Sequence, residues 1–466
     1  MPTIFESVVR SPAYQSAKKQ LIDALHQELK AITLPKPSAP VLKGQYEELV
    51  KQVADLRGRE LFYKFIGSGA GNGPFIELAD GSIKYDLITG IGVNFFGHGN
   101  LELFEAELDS LWCHVMQGNL GPNPEYGALM KELLALVGAK SRLKHVWLTT
   151  CGATANEIAL KIVRQKKFPA SKIMAFKDCF AGRTTALQEI TDNAKYREGQ
   201  PTYGEVHYLS FFNPKSKASA AEQAAAVVAD MKEEFARQPG RFACLEFEIV
   251  QGEGGFNAAP REFLLPIIEE ARKAGLAIWV DEIQTFGRTG EVFCYQRLGL
   301  DEYIDVATVA KLLQTGAVLY TQEYNPKAGL ISGTFAGSSG GLRAGRKGLE
   351  LLRTKLAGPN GRIRHLEKLT NAEFERIKSG PNGKHLVDYT VIGGMVAFTL
   401  FDGTLDQVKK YLFKLWDMGV IAFYCGHGPY RIRILPPFGV MTDEQLKHVF
   451  QLFDQAITET AKELRS

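Results

Sequence analysis

Two short apolar runs constrain this chain more than any other feature, because each of them ends at a charged residue. The run at 277–280, Ala-Ile-Trp-Val, is typical of a buried parallel strand, and Asp281 and Glu282 follow it. The run at 306–310 ends at Lys311. Ligands of open α/β sheets bind beyond the carboxyl ends of the strands. An acid and a lysine in these positions therefore predict two poles of a single site.

The composition excludes several classes of protein. The 466 residues are enough for two or three domains that share a large core. The formal charge of +3 is spread over the whole length, so no nucleic-acid partner is expected. The nine histidines lack the spacing of metal ligands, so no metal is expected. No segment approaches the roughly 18 apolar residues that cross a bilayer, so no membrane partner is expected either.

The amino terminus and the cysteines favour a cytoplasmic protein. The first residues lack the basic start and the apolar core of a signal peptide. The cysteines lie far apart without a CxxC pair, and several fall in apolar, strand-like runs, so we expect reduced thiols in the core. They are Cys113, Cys151, Cys179, Cys244, Cys294 and Cys425.

The order of the predicted elements divides the chain into four parts. Residues 1–73 form a mostly helical amino-terminal arm that packs on another surface, such as a second subunit. Residues 74–100 form a hairpin segment that joins the small domain. Residues 101–345 alternate helices with short apolar strands, which predicts a large α/β domain with a mostly parallel sheet. Residues 346–466 form a smaller α+β domain.

Several local elements can be predicted within these parts. Alternating residues around Asp80 and Gly81 predict a hairpin. The glycine-rich stretch at 66–73 has no strand–helix context, so we expect a flexible loop there and not a phosphate loop. In the last part we expect a helix over 346–378, strands near 390–400, 420–424 and 430–435, and helices over 405–417 and 442–464.

Lys311 and Asp281 would carry chemistry if both are buried. A lysine that cannot reach water is desolvated, and an amine whose pKa is lowered in this way is the form that makes Schiff bases. A buried carboxylate needs a cationic or hydrogen-bonding partner, and a protonated pyridine nitrogen would serve. The alternatives are a lysine that extends from a strand end to water and an acid that caps the next helix.

Two strand–helix turns predict contacts to an anion and to a flat ring. Gly152 and Ala153 follow a strand at 145–148 and open a helix, where free backbone N–H groups bind phosphate. After the next strand, Phe180 could stack on a ring and Arg183 could bind a carboxylate through two hydrogen bonds. The alternatives are an ordinary strand–helix turn and a phenylalanine that packs in the core.

Six motifs in order carry a resemblance to a known family. They are LTTCGATANEIALK, FAGRTT, EIVQGEGG, VDEIQTFGRTG with Lys311 thirty positions beyond Asp281, SGTFAG and RILPP. From about residue 74 to the end, the chain resembles class III, the ω-amino acid branch, of the pyridoxal-phosphate aminotransferases. This group includes ornithine, acetylornithine, 4-aminobutyrate and lysine ε-aminotransferases. The resemblance implies a fold-type-I enzyme of the α/β class, with a large, mostly parallel-sheet domain and a smaller α+β domain.

The resemblance implies roles around the ring of pyridoxal 5'-phosphate. Lys311 would hold the cofactor as a Schiff base and then move a proton between the substrate carbon and the cofactor carbon. Asp281 would pair with the ring nitrogen, and Gln284 would reach the ring hydroxyl. Phe180 would cover the ring, and Glu248 would support the pocket.

The phosphate contacts make a homodimer part of the expected mechanism. By the same resemblance, Gly152 and Ala153 would bind the phosphate through backbone N–H groups. Thr334 would reach the phosphate in the site of the neighbouring subunit.

The substrate residues implied by the resemblance are two arginines and a glutamate. Arg183 would bind a distal carboxylate of the donor, and Arg433 would bind the α-carboxylate of glutamate or 2-oxoglutarate. Glu253 would neutralise Arg433 when the substrate lacks that carboxylate. The expected reaction is transamination of an ω-amino acid of the ornithine, acetylornithine, 4-aminobutyrate or lysine type, with 2-oxoglutarate and glutamate as the second pair.

The sequence departs from the family pattern at several positions. These departures bear on which substrate is bound, and none of them removes an expected catalytic group. The usual glycine-and-proline run after the lysine is replaced by Leu-Leu-Gln-Thr-Gly at 312–316, and other departures occur at Cys151, Thr154, Ala181 and Ile249. The nearest rival is another reaction on the same site, such as an aminomutase, decarboxylase or racemase reaction. A non-catalytic scaffold would be expected to lack Lys311 or Asp281, and a dinucleotide-binding enzyme would need a GxGxxG turn.

Overall fold

The computed structural model describes residues 1–112 and 116–465. The α-helices in these ranges are α1 (Ile4–Val9), α2 (Pro12–Leu29), α3 (Lys43–Arg57), α4 (Thr89–Gly92), α5 (Leu101–Leu108), α6 (Pro124–Leu134), α7 (Gly152–Lys167), α8 (Leu187–Ile190), α9 (Ala220–Arg237), α10 (Arg261–Lys273), α11 (Cys294–Arg297), α12 (Ser339–Leu351), α13 (Arg362–Ser379), α14 (Leu405–Asp417) and α15 (Asp443–Glu463). The strands are β1 (Gly67–Asn72), β2 (Phe75–Leu78), β3 (Ile83–Asp86), β4 (Leu143–Thr149), β5 (Lys172–Phe176), β6 (Val206–Leu209), β7 (Phe242–Phe247), β8 (Val250–Gln251), β9 (Asn257–Ala258), β10 (Ala277–Asp281), β11 (Val306–Val309), β12 (Gly316–Thr321), β13 (Leu386–Ile392), β14 (Met395–Leu400), β15 (Val420–Ile421), β16 (Phe423–Cys425) and β17 (Arg431–Ile434).

A seven-stranded sheet forms the centre of the fold. Its strand order is β4-β12-β11-β10-β7-β5-β6, and β12 runs antiparallel to both of its neighbours. The other pairs, from β11 to β6, are parallel. Every residue of β7, β10 and β11 is buried, as expected for apolar strands that are covered on both faces by helices. The prediction of an α/β fold with a mostly parallel central sheet is confirmed.

Two smaller sheets involve the two ends of the chain. The predicted hairpin around Gly81 is present as β2 and β3, and β3 also pairs in parallel with β15. The second small sheet has the order β13-β14-β17-β16. The helices α14 and α15 pack against each other beside these strands, and their buried residues include Leu412 and Phe453. The boundaries of the four predicted parts stay a prediction.

The glycine-rich stretch at 66–73 differs from the expected flexible loop. Its residues 67–72 form β1, which pairs antiparallel with β2. A Cβ atom at Gly71 would lie 2.4 Å from the Cβ atom of His98, so only glycine fits where these two segments approach each other. The glycines therefore permit close packing of a strand in this part of the chain.

Two predicted elements of the last part are interrupted in the structure. They are the helix over 346–378 and the strand near 390–400. Helix α12 ends at Leu351, a π-helix follows over Leu352–Leu356, and α13 begins only at Arg362. The intervening stretch Gly-Pro-Asn-Gly at 358–361 cannot continue a helix, because glycine and proline both disfavour it. In the strand region, Gly393 has a φ of +57° and turns the chain between β13 and β14.

The amino-terminal helices pack on the segment around α5. Tyr14 donates a hydrogen bond of 2.9 Å to Asp109, and Lys18 forms an ion pair with the same carboxylate. In residues 1–112 and 116–465, no helix is both long enough and apolar enough to cross a membrane. Five cysteines are free, of which Cys151 is exposed and the other four are buried, and Cys113 lies outside the described residues.

Candidate functional site

The carboxyl ends of three neighbouring parallel strands meet at one cavity. The strands β7, β10 and β11 are aligned so that Val280 is paired with Phe247 on one side and Ala307 on the other. The residues that follow these strands therefore emerge at one edge of the sheet, and a cavity of about 480 Å³ opens there. The predicted site residues that line this cavity are Gly152, Ala153, Phe180, Arg183, Glu248, Glu253, Asp281, Gln284 and Lys311.

Asp281 is the last residue of β10 and is only 4% exposed. Its Oδ1 atom accepts a hydrogen bond of 2.8 Å from the N–H of Ile283, and its Oδ2 atom accepts one of 2.7 Å from Nδ2 of Asn156. Burial raises the pKa of Asp281 to about 6, although these two hydrogen bonds and the charge of Lys311 act in the opposite direction. A cation placed beside this carboxylate would stabilise its ionised form.

Lys311 lies in a tight turn directly after β11. Its φ is +54°, and the 3₁₀ turn Lys311–Leu313 ends at Gln314, whose φ is +62°. The Gln314 side chain donates a hydrogen bond of 3.0 Å to the carbonyl of Val93 and so fixes this turn against a neighbouring loop. Burial, with the nearby charge of Arg288, lowers the pKa of Lys311 to about 8. The amine can therefore lose its proton far more easily than an exposed lysine can.

The first turn of α7 presents backbone N–H groups to the cavity. Gly152 and Ala153 are its first two residues, and the first N–H groups of a helix have no partner within the helix. A Cβ atom at position 152 would lie 2.8 Å from the side chain of Ile283, so any larger residue would displace Ile283 where the helix meets the loop after β10. This turn could bind a phosphate.

Glu248 forms a hydrogen bond with the backbone of Phe180 in the wall of the cavity. The Oε1 atom of Glu248 accepts a hydrogen bond of 3.0 Å from the N–H of Phe180, and Oε2 accepts one of 2.8 Å from the N–H of Gly252. Burial and the neighbouring Asp281 raise the pKa of Glu248 to about 8, against the effect of these backbone hydrogen bonds. Glu248 thus holds the position of the loop that carries the aromatic ring.

Arg433 and Glu253 form an ion pair behind the cavity wall. Arg433 lies on β17 and is 1% exposed, and its Nη1 atom donates a hydrogen bond of 2.8 Å to Oε1 of Glu253. Glu253 lines the cavity, whereas Arg433 lies beyond it. Burial alone would raise the pKa of Glu253, but the charge and the hydrogen bond of Arg433 lower it below its usual range.

Arg183 and Thr334 are both exposed, but only Arg183 lines the cavity. Thr334 lies in the loop before α12, where its carbonyl oxygen would be 2.7 Å from a Cβ atom at Gly118. One copy of the chain therefore does not bring Thr334 to the residues around Lys311.

Two buried residues of the site, Asn156 and Arg288, fall within the motifs but were not predicted from the sequence to have a role. Asn156, which is fully buried on α7, holds Asp281 and also donates a hydrogen bond of 2.7 Å to the carbonyl of Ala181. Arg288 is also fully buried, and its Nη2 atom donates a hydrogen bond of 2.5 Å to the carbonyl of Gly92. The role of Asn156 could have been suspected because it is a polar residue on the buried face of α7. We find no comparable feature of the sequence that would indicate a role for Arg288.

The groups around the cavity fit a pyridoxal phosphate molecule. The buried Oε1 atom of Gln284 has no hydrogen-bond partner among the described residues, so it can accept one from a ring hydroxyl. A buried carboxylate at Asp281, an amine of lowered pKa at Lys311 and the backbone N–H groups in the first turn of α7 complete a matching set of partners. We therefore find no conflict between the residues present and this cofactor.

Comparison with known proteins identifies the family. The chain matches the class-III aminotransferase family over residues 62–457. It is 30% identical over 395 residues to the acetylornithine aminotransferase of Bacillus subtilis (strain 168), covering 82% of this chain and 92% of that protein. It is 32% identical over 248 residues to the [LysW]-aminoadipate semialdehyde/glutamate semialdehyde transaminase of Sulfurisphaera tokodaii, covering 53% of this chain and 58% of that protein.

The fold is also shared with solved structures. A Bacillus anthracis aminotransferase superimposes with a TM-score of 0.79 at 20% identity, over 89% of this chain and 99% of that chain. Enzymes of class III depend on pyridoxal phosphate, which is the cofactor implied by the motifs and accommodated by the cavity. The chain belongs to the class-III aminotransferases and is a pyridoxal-phosphate-dependent transaminase.

Proposed function

We propose that this protein transfers the terminal amino group of an ω-amino acid to 2-oxoglutarate. The observation that carries the proposal is the different state of two arginines, one that lines the cavity and one behind its wall. Arg433 is buried and paired with Glu253, whereas Arg183 is exposed and forms no ion pair with any described residue. The donor would be of the ornithine, acetylornithine, 4-aminobutyrate or lysine type. The relatives named for acetylornithine and for two semialdehydes support this substrate class.

Two substrates must use the same cavity in turn. When the donor reacts through its terminal amine, no carboxylate lies next to the reacting carbon, and Glu253 keeps the charge of Arg433 neutralised. When glutamate reacts, its α-carboxylate replaces Glu253 on Arg433 and forms the planar, two-bond contact that guanidinium favours. Arg183 binds the distal carboxylate of the donor. The exchange at Arg433 lets one site accept both substrates.

The remaining groups bind the cofactor and move protons. Pyridoxal phosphate supplies an electron sink for the negative charge that develops on the substrate carbon. Asp281, held by Asn156, would pair with the protonated ring nitrogen, and the unpartnered Oε1 atom of Gln284 would accept a hydrogen bond from the ring hydroxyl. Lys311 binds the cofactor and moves the proton at the substrate carbon through its Nζ atom, for which a lowered pKa is required. Phe180 would cover the ring, and Glu248 holds the loop that carries Phe180.

The phosphate is bound by Gly152 and Ala153 and, in a homodimer, by Thr334 of the neighbouring subunit. Exposed apolar side chains near Thr334 support a homodimer, because such side chains are typical of protein interfaces. Phe335 is 60% exposed and Leu120 is fully exposed. We also infer a cytoplasmic location, for which the free cysteines are the supporting observation.

A donor panel tests the proposed function. The holoenzyme is mixed with ornithine, acetylornithine, 4-aminobutyrate or lysine in the absence of an acceptor, and the absorbance of the bound cofactor is followed. We expect at least one donor to bleach the band and 2-oxoglutarate to restore it with formation of glutamate. If none of the donors bleaches the band while L-glutamate does, the proposed donor class is wrong. Turnover that requires no 2-oxoglutarate would indicate another pyridoxal-phosphate reaction.

A further inference from the structure

Tyr196 lies beside the cavity and takes no part in the proposed cofactor contacts or proton transfers. It belongs to the 3₁₀ turn Ala194–Arg197, between α8 and β6, and its ring is half-buried. The guanidinium carbon of Arg183 lies 4.3 Å from the centre of this ring. The Tyr196 ring also meets Phe180 edge to face, with a distance of 6.1 Å between ring centres and an angle of 88°. These three side chains form one stack.

The stack is held by hydrogen bonds within the surrounding loops. Thr191 accepts a hydrogen bond of 3.2 Å from the N–H of Gly182 and donates one of 2.8 Å to the carbonyl of the same residue. Arg197 donates a hydrogen bond of 3.0 Å to the carbonyl of Thr191. The turn that carries Tyr196 is therefore tied to the loop that carries Arg183. These bonds between side chains and backbone groups hold Tyr196 and Arg183 next to each other.

Contact with the Tyr196 ring limits the conformations of the Arg183 side chain. An exposed arginine without an ion pair has many accessible rotamers, and it loses this freedom when it binds a carboxylate. A guanidinium that lies against an aromatic ring keeps the N–H donors of its plane free. Phe180 contributes a weaker contact of the same kind, at 5.8 Å from the guanidinium carbon. The ring of Tyr196 therefore orients Arg183 before the substrate arrives.

The hydroxyl of Tyr196 does not neutralise the charge of Arg183. Burial and the negative charge of Glu253 raise the pKa of Tyr196 above its ordinary value, so the phenol stays neutral at physiological pH. A neutral ring attracts the cation through its face without neutralising it. The charge of Arg183 remains available for a substrate carboxylate.

We propose that Tyr196 is a specificity-determining positioning residue, whose ring holds Arg183 over the cavity so that donors with a distal carboxylate are selected. This inference rests on the proposed function and deepens it. The closer of the two ring contacts of Tyr196 is with Arg183, so removal of the ring changes donor binding and leaves the proton transfers at Lys311 intact. The geometry of the stack, with the 4.3 Å contact, carries the inference.

The test is a double-mutant cycle on the holoenzyme. Tyr196→Leu, Arg183→Gln and the double variant are compared with the wild type in the donor half-reaction, with the donor of the panel that reacts fastest. A cation–π contact of an exposed arginine is worth a factor of about two to five in binding. Tyr196→Leu should therefore raise the half-saturating donor concentration by about that factor without lowering the limiting rate. In the Arg183→Gln background the same change should have no effect.

Two further variants separate positioning from a general loss of structure. Tyr196→Phe keeps the ring and should keep the donor affinity. Tyr203→Leu removes an exposed tyrosine from the same connection, 63% exposed, and should change nothing. An equal effect of Tyr196→Leu in both backgrounds, or an effect on the limiting rate alone, would overturn the inference. A wild type that reacts with no ω-amino donor would instead refute the proposed function.

Discussion

The ion pair between Glu253 and Arg433 allows the sharpest perturbation of this site. Glu253→Gln keeps the size and the acceptor atom of the side chain but removes its charge. The wild-type hydrogen bond is 2.8 Å long, and Arg433 is 1% exposed. In the variant, a donor that reacts through its terminal amine leaves the buried guanidinium without a counter-charge. When glutamate reacts, its own α-carboxylate supplies the counter-charge of Arg433.

The structure sets the size of the effect. Removal of one partner of a buried, hydrogen-bonded charge pair costs about 2–5 kcal/mol, and about 1.4 kcal/mol corresponds to a factor of ten. The glutamine can still accept the Nη1 hydrogen bond and Arg433 also contacts the carbonyl of Gly252, so the lower end of that range applies. We expect kcat/KM for the ω-amino donor to fall about 30- to 100-fold. We expect the value for L-glutamate to stay within about threefold of the wild type.

The assay measures the two half-reactions separately by single-turnover bleaching of the cofactor absorbance. Glu291→Gln serves as a matched control, because Glu291 is partly buried and paired with Arg364 at a distance of 3.3 Å, and it does not line the cavity. The control should change neither half-reaction. If Glu253→Gln slows the glutamate half-reaction as much as the donor half-reaction, Glu253 does not distinguish the two substrates.

Two further predictions concern the cofactor pocket. Asn156→Leu removes the 2.7 Å hydrogen bond to Asp281 and should weaken binding of pyridoxal phosphate about tenfold in equilibrium dialysis, since a hydrogen bond to a charged group is worth about 1.5–3 kcal/mol. Asn371→Leu, which removes a side-chain hydrogen bond to the Glu367 carbonyl on α13, should leave this affinity unchanged, and an equal loss would contradict the role of Asn156. The apoenzyme should become less stable as the pH rises from about 4 to about 8, because burial raises the pKa of Asp281 to about 6 and of Glu248 to about 8. The folded state then keeps protons that the unfolded chain has lost, and chemical denaturation at pH 5 and pH 8 should show a smaller difference for Glu248→Gln than for the wild type.

The positions of Asp281 and Lys311 could be predicted from the sequence for a simple physical reason. Strands that are buried on both faces are continuous apolar runs, and the residue that follows such a run lies at the edge of the sheet. Two runs that end in charges therefore predict two charges at one edge of the sheet, and the strand order decides whether they are neighbours. The structure places β10 and β11 side by side, with Asp281 paired to Thr308.

Contacts between distant segments could not be predicted in this way. Asn156 meets Asp281 across 125 residues of sequence, and Tyr196 meets Arg183 through a turn whose position depends on Thr191. The strand at 67–72 is rich in glycine and has no apolar pattern, so only its pairing with β2 reveals it. The role of Thr334 stays a prediction, because it depends on a second copy of the chain.

Transfer of labelled nitrogen follows the amino group from the donor to the acceptor. The holoenzyme is incubated with 2-oxoglutarate and the best donor of the panel, labelled with ¹⁵N at its terminal amine, and the glutamate formed is analysed by mass spectrometry. We predict ¹⁵N-glutamate from the wild type and none from Lys311→Ala loaded with cofactor. Unlabelled glutamate, or labelled glutamate at an undiminished rate from Lys311→Ala, would contradict the account.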